Sequence, residues 1–161
     1  MARDLKVLAW ITESGWEACV DAVTALAATD VTLVHVATMD LPGPRGRRHE
    51  QVMERMAGLA QEAAQALLDD AVERIDDGTV TIYTLAESGL AEDVVMRAAA
   101  DADLLVIARD SRHPSPHSIG HAARFVVDHA PCNVVLVWPG GGPDERAPKP
   151  KPKPKPKPKP Y

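Results

Sequence analysis

Five short apolar segments, separated by stretches with helical spacing, constrain this chain more than any other feature. Residues 31–37 (VTLVHVA), 104–108 (LLVIA) and 133–138 (NVVLVW) are continuous runs rich in β-branched side chains. Such runs mark strands buried on both faces, because a strand with one wet face would alternate polar and apolar positions. Residues 5–12 (LKVLAWIT) read the same way, and residues 80–85 (VTIYTL) alternate.

The intervening stretches read as helices. Ser14 and Glu17 stand at capping-box spacing: a hydroxyl for one orphan amide and a carboxylate that reaches back to another. A helix is expected to follow, since Cys19, Val20, Ala22, Val23, Leu26 and Ala27 recur at three- and four-residue intervals. A longer one is expected over 50–75, ended by Asp76-Asp77-Gly78. Ser88 is placed to cap a helix over about 90–100, and a last helix is expected over 120–129.

Apolar strands alternating with amphipathic helices imply a parallel sheet covered on both faces, and right-handed crossovers limit its topology. The expected class is α/β: a doubly wound, Rossmann-like five-stranded parallel sheet of order 3-2-1-4-5. Such sheets bind ligands beyond the carboxyl ends of the strands, where the strand order reverses. That singles out residues 12–15, 37–48, 86–89 and 109–120.

Charge divides the chain in two. Six of its seven lysines alternate with proline between Lys149 and Lys159. Removing them from 18 basic residues leaves 12 against 23 acidic, so the net charge of −5 becomes −11 for the rest. A body that acidic repels phosphate and is a poor nucleic-acid binder. Only six residues are aromatic, so the core must be aliphatic. The expected organisation is one domain over 1–139, then a disordered segment over 140–161 that opens on Gly140-Gly141-Gly142. Proline at every second position removes amide donors and fixes φ, so an extended polyproline II tail is expected. No apolar run approaches the roughly 20 residues of a membrane span. The N-terminal residues lack a signal-peptide plan. Two cysteines give neither a disulfide framework nor a metal knuckle, so a reducing cytoplasm is expected.

Several of these residues also carry a resemblance. Residues 106–108 (VIA) with the polar loop after them, Gly120-His121, and His129-Ala130-Pro131-Cys132 before VVLVW resemble the universal stress protein domain. Residues 7–12 (VLAWIT), 34–36 (VHV) and Ala91-Glu92-Asp93 fit the same pattern, and the resemblance covers residues 4–139. It implies a non-enzymatic stress-response or signalling domain. It also implies a homodimer made by pairing the last strand, here from Asn133 to Trp138, with its mate. An apolar strand edge left bare in water supports that expectation independently.

One class of this family binds ATP through the pattern Gly-x2-Gly-x9-Gly-Ser/Thr. Glycines there let backbone amides approach the phosphates, and the helix N-terminus adds partial positive charge. Carried onto this chain, Ala108 stands at the first glycine, Ser111 at the second and Gly120 at the third, eight residues after Ser111 rather than nine. His121 holds the hydroxyl position. The family's nucleotide-contacting Asp falls on Thr12, and its backbone contact to adenine falls at Val36. Side chains at Ala108 and Ser111 narrow the room for phosphate. Left-handed backbone at either position would add about 1–2 kcal/mol of strain.

ATP binding is therefore expected to be weak or absent. The alternative is an anionic ligand, or ATP itself, at the 109–121 loop. There Arg109 and Arg112 would supply guanidinium forks, with hydroxyls from Ser111, Ser115 and Ser118. A second alternative is an interaction scaffold whose Lys149–Lys159 tail binds a polyanion: nucleic acid, an anionic membrane or an acidic protein. Its counterpart is a merely solubilising tail. A slow ATPase is disfavoured by Thr12 in place of Asp. His113, His117 and His121 recur every four residues, but Pro114 and Pro116 keep them off one helix. Only His117 and His121 remain as helical neighbours, and no metal is expected. Trp10 reads as core, with filling of the nucleotide cleft as its alternative. Cys19 and Cys132 read as inert core thiols.

Overall fold

The computed structural model describes residues 4–38, 46–75 and 77–142. The five apolar runs become strands: β1 (Lys6–Trp10), β2 (Asp30–Ala37), β3 (Thr81–Ser88), β4 (Leu104–Ala108) and β5 (Asn133–Val137). Four helices connect them: α1 (Trp16–Ala25), α2 (Arg47–Ile75), α3 (Ala91–Ala99) and α4 (His121–His129). All strand pairs are parallel, in the order β3-β2-β1-β4-β5. The expected topology is therefore the one observed. The Lys-Pro tail and most of the expected 37–48 loop lie outside the described residues.

Strand alternation sorts the core into two layers. Val7, Ala9 and Ile11 point to one face, where they meet Cys19, Val20 and Val23 of α1 and Leu68, Ala71 and Ile75 of α2. Leu8 and Trp10 point to the other, against Val94 and Val95 of α3 and Ala123 and Val126 of α4. Both faces are thus covered, which is why the central strands carry no polar alternation, whereas the edge strand β3 alternates. The strand order reverses between β1 and β4, so the loops after those two strands meet at one end of the sheet.

Three local expectations are corrected. Ser14 does not cap α1: Gly15 holds the N-cap position and no side chain bonds there. The Thr12 carbonyl accepts the N–H groups of Gly15 and Trp16, and this turn leaves Ser14 outside the helix. Ser88 ends β3 rather than capping α3, whose N-cap is Leu90. Glu92 and Asp93 complement the helix dipole there instead. Finally, α2 begins at Arg47, three residues before the expected start. Past β5, residues Pro139–Gly141 form a short 3-10 turn. At the end of α1, Ala27 adopts φ +51, the left-handed conformation that usually belongs to glycine after a helix.

Candidate functional site

The loops after β1 and β4 pack on each other through small residues. A Cβ built on Gly15 would lie 2.2 Å from the Ala108 Cβ and 3.2 Å from Thr12 Oγ1. Real carbon atoms sit about 3.5–4.0 Å apart. Glycine at position 15 is therefore what admits a methyl group at position 108. Ala27 is the only non-glycine with positive φ among the described residues, so Ala108 and Ser111 carry no left-handed strain.

Beyond Ala108, the Arg109 N–H donates to the Val137 carbonyl at 2.9 Å and prolongs the β4–β5 ladder by one residue. The Arg109 side chain turns inward. Its Nη1 donates to Ser118 Oγ at 2.8 Å, and its Cζ lies 4.3 Å from the centre of the Trp138 ring. Its Nε is buried and makes no hydrogen bond among the described residues. Ser118 is 1% exposed, so this guanidinium braces the loop instead of facing solvent. Arg112 is exposed but leans on the turn after β5, where a Cβ on Gly140 would meet its Nε at 3.1 Å. The serine hydroxyls are also engaged within the loop. Ser111 Oγ accepts from the His113 N–H at 3.1 Å, and Ser115 Oγ from the His117 N–H at 3.2 Å.

The start of α4 carries the group that sequence reasoning overlooked. A Cβ on Gly120 would fall 2.1 Å from Asp110 Oδ2. The Asp110 N–H donates to the Ser118 carbonyl at 2.9 Å, which folds the loop back so that this carboxylate rests on Gly120. Gly120 caps α4 with φ −64, so glycine is needed there for space and not for backbone freedom. The Asp110 carboxylate thus lies beside the N-cap residue of α4, although no side chain hydrogen-bonds to that end of the helix. His121 opens the helix and is exposed. His117 lies before it, so His117 and His121 do not share a helix. Among the described residues no group of three or more His, Cys, Asp and Glu is placed to hold a metal ion.

Val36 stands two residues past Val34, where the β1 ladder ends opposite Trp10. Trp10 is 7% exposed and packs with Val34, Val36 and Ile107, as core. On the α2 side of the same sheet end, a cavity of about 520 Å³ is lined by Glu13, His35, Thr38, Ala63, Leu67 and Asp70, among others. His35 is 6% exposed. Its Nδ1–H donates to the Ile11 carbonyl at 2.8 Å, which leaves Nε2 3.7 Å from Glu13 Oε1. A smaller cavity of about 270 Å³, lined by Lys6, Asp30, Tyr83 and Asp101, opens at the amino ends of the strands, opposite the loops.

Both cysteines are free thiols. Burial pushes the Cys19 thiol up to about 12, with a small opposing contribution from the Ala108 backbone. Burial also raises Cys132, helped by the negative charge of Asp103. Neither presents a thiolate near neutral pH, so neither is an activated nucleophile.

The structure therefore brings Thr12 and Ala108 together across Gly15, while Arg109, Ser111 and Gly120 make their contacts within the loop after β4. It sets Val36 at the edge of the switch point and draws Arg112 away toward Gly140. Sequence reasoning missed Gly15, Asp110, His35 and Trp138. Only Asp110 left a signal, as an acid inside a loop read as cationic.

A family model, the universal stress protein family, matches residues 12–137. The chain belongs to that family. No curated protein sequence matches it. Among solved structures, universal stress protein UspA from Lactobacillus plantarum superposes with a TM-score of 0.61 at 22% identity, covering 85% of this chain and 99% of that one. A universal stress protein in complex with cAMP gives 0.58 at 16%, covering 86% and 99%. A universal stress protein family protein from Arabidopsis thaliana with AMP bound gives 0.53 at 15%, covering 84% and 92%. At these identities the superpositions speak for the fold. The universal stress protein architecture is thus shared.

Proposed function

We propose that this universal stress protein domain is a non-enzymatic signalling module of the cytoplasm, with weak or no ATP binding. The Asp110 carboxylate resting on Gly120 at the start of α4 carries the reading. A phosphate oxygen brought within about 4 Å of that carboxylate meets a repulsion of about 1–4 kcal/mol, between the limits for water and a protein surface. Of the cations that could offset it, Arg109 is held by Ser118 and Trp138, and Arg112 lies beside Gly140. The adenine side is less altered, because a backbone contact at Val36 needs no particular side chain. Mononucleotides with less charge should therefore lose less affinity than ATP.

Calorimetric titration with ATP-Mg and AMP tests this. Wild type is expected to bind ATP with Kd above about 1 mM, less than about 4 kcal/mol. Asp110→Ala should tighten ATP at least about tenfold while changing AMP less. Stoichiometric micromolar binding of ATP by wild type would refute the proposal.

The domain is further proposed to act as a homodimer through the outer edge of β5. That strand pairs on one side only, with β4, and Val134, Val135, Leu136 and Val137 are all merely half-buried. Amide exchange should show β5 protected on both edges. Rapid exchange of alternate β5 amides would sink the dimer.

A further inference from the structure

The first half of α2 stands clear of the body. None of residues 47–63 is buried; the first buried position is Ala64, followed by Leu68, Ala71 and Ile75. At a rise of 1.5 Å per residue those 17 positions extend about 25 Å. Along them Val52, Met56 and Leu59 are 50%, 42% and 59% exposed, and Ala63 continues the line. The spacing of four, three and four residues is the seam of a two-helix coiled coil. At about 100° per residue this seam lies roughly 120° around the helix from Ala64, Leu68, Ala71 and Ile75. Only its last position, Ala63, borders the cavity beside His35, so a second helix can lie along Val52, Met56 and Leu59.

We infer that this seam pairs with the same helix of a second copy, antiparallel. The stripe is complementary to itself: with Met56 set against Leu59 of the second copy, Val52 falls against its Ala63. The charges beside the stripe settle the direction. Arg48, Arg55, Glu62 and Asp69 recur every seven residues along one flank. In the antiparallel register Arg55 faces Glu62 of the second copy, and Arg48 faces its Asp69. A parallel pair would instead set Arg48, Arg55 and Glu62 against Met53, Ala60 and Leu67 and leave the charges unpaired. Arg55 and Glu62 are exposed and have no ion-pair partner among the described residues, so both are free for this contact. A lipid surface fits less well, because residues 47–63 balance three arginines with three glutamates and present no basic face. The surface is separate from the outer edge of β5. A chain carrying both interfaces forms assemblies larger than a dimer.

Sedimentation of the full chain from about 5 to about 300 μM tests the inference. Wild type is expected to gain mass twofold with concentration over the species held by any other interface. Arg55→Glu and Glu62→Arg each place like charges together twice across the two-fold, and each should weaken this step about tenfold. The double swap Arg55→Glu/Glu62→Arg restores both pairs and should restore the mass. Loss of association in the singles without recovery in the swap would overturn the antiparallel register. A mass independent of all three changes, or no concentration-dependent step, would show that the stripe meets a different partner or none. A mass that stays even while the step is lost would mean that β5 pairing persists, so the two interfaces report separately.

Discussion

Replacing Gly15 by Ala should be strongly destabilising for the addition of a single methyl group. The new Cβ would sit 2.2 Å from the Ala108 Cβ. Relief needs a shift of about 1.5 Å, and the obstacle is a carbon fixed to β4, not the end of a flexible chain. Gly15 has φ −125, which alanine adopts freely, so no torsional cost enters. Overpacking of this kind costs about 1–3 kcal/mol, and a backbone-anchored contact belongs at the upper end. Poorer capping adds a few tenths. Ala108→Gly alone loses one buried methyl and loosens the unfolded chain, about 1–2 kcal/mol. The double variant merely moves the methyl across the contact. It should cost about 1–2 kcal/mol, well short of the sum of the singles. The coupling is thus about 2–3 kcal/mol in favour of the pair. Urea unfolding followed by circular dichroism measures all four corners, with unchanged m as the check that compactness is retained. A coupling within about 0.5 kcal/mol of zero would refute the claim that these two loops are in contact.

Ala27→Gly should stabilise by about 1 kcal/mol, because Ala27 holds φ +51 while exposed; a lowered melting temperature would contradict this. Cys19 gives a pH signature. Its thiol is raised from 9.0 to about 12 in the fold, so the stabilisation is complete below pH 9 and is lost as pH rises toward 12. The slope over that window is about 1.4 kcal/mol per pH unit, and Cys19→Ala should abolish it. Arg109→Met should lose about 1 kcal/mol by removing the contact with Trp138 and the bond to Ser118, and Trp fluorescence should shift as that ring is uncovered. An unmoved melting temperature would show that Arg109 does not brace the loop.

Much of the fold was legible because it is written in local patterns. The runs VTLVHVA and LLVIA declare strands buried on both sides, and nothing in the three-dimensional structure had to override them. The handedness of crossovers then left few ways to order five strands. Caps were less legible. Ser14 and Ser88 each had the right chemistry beside a helix start, but the Thr12 turn and the extra length of β3 decided which residue became the cap. Propensity proposes candidates for such positions, and tertiary contacts select among them.

The chain's amino-acid order by itself determined the elements and the layers they form, since these follow from periodicities of two and 3.6 residues. It also placed side chains at Ala108 and Ser111, and only the folded arrangement decided what surrounds them. Gly15 lies 93 positions from Ala108, Asp110 turns onto Gly120, and Arg109 leaves the solvent for Trp138. Whether a charge in a loop greets a ligand or braces its own backbone depends on angstrom-scale distances between segments remote in the chain, and those distances exist only once the sheet has brought the segments together.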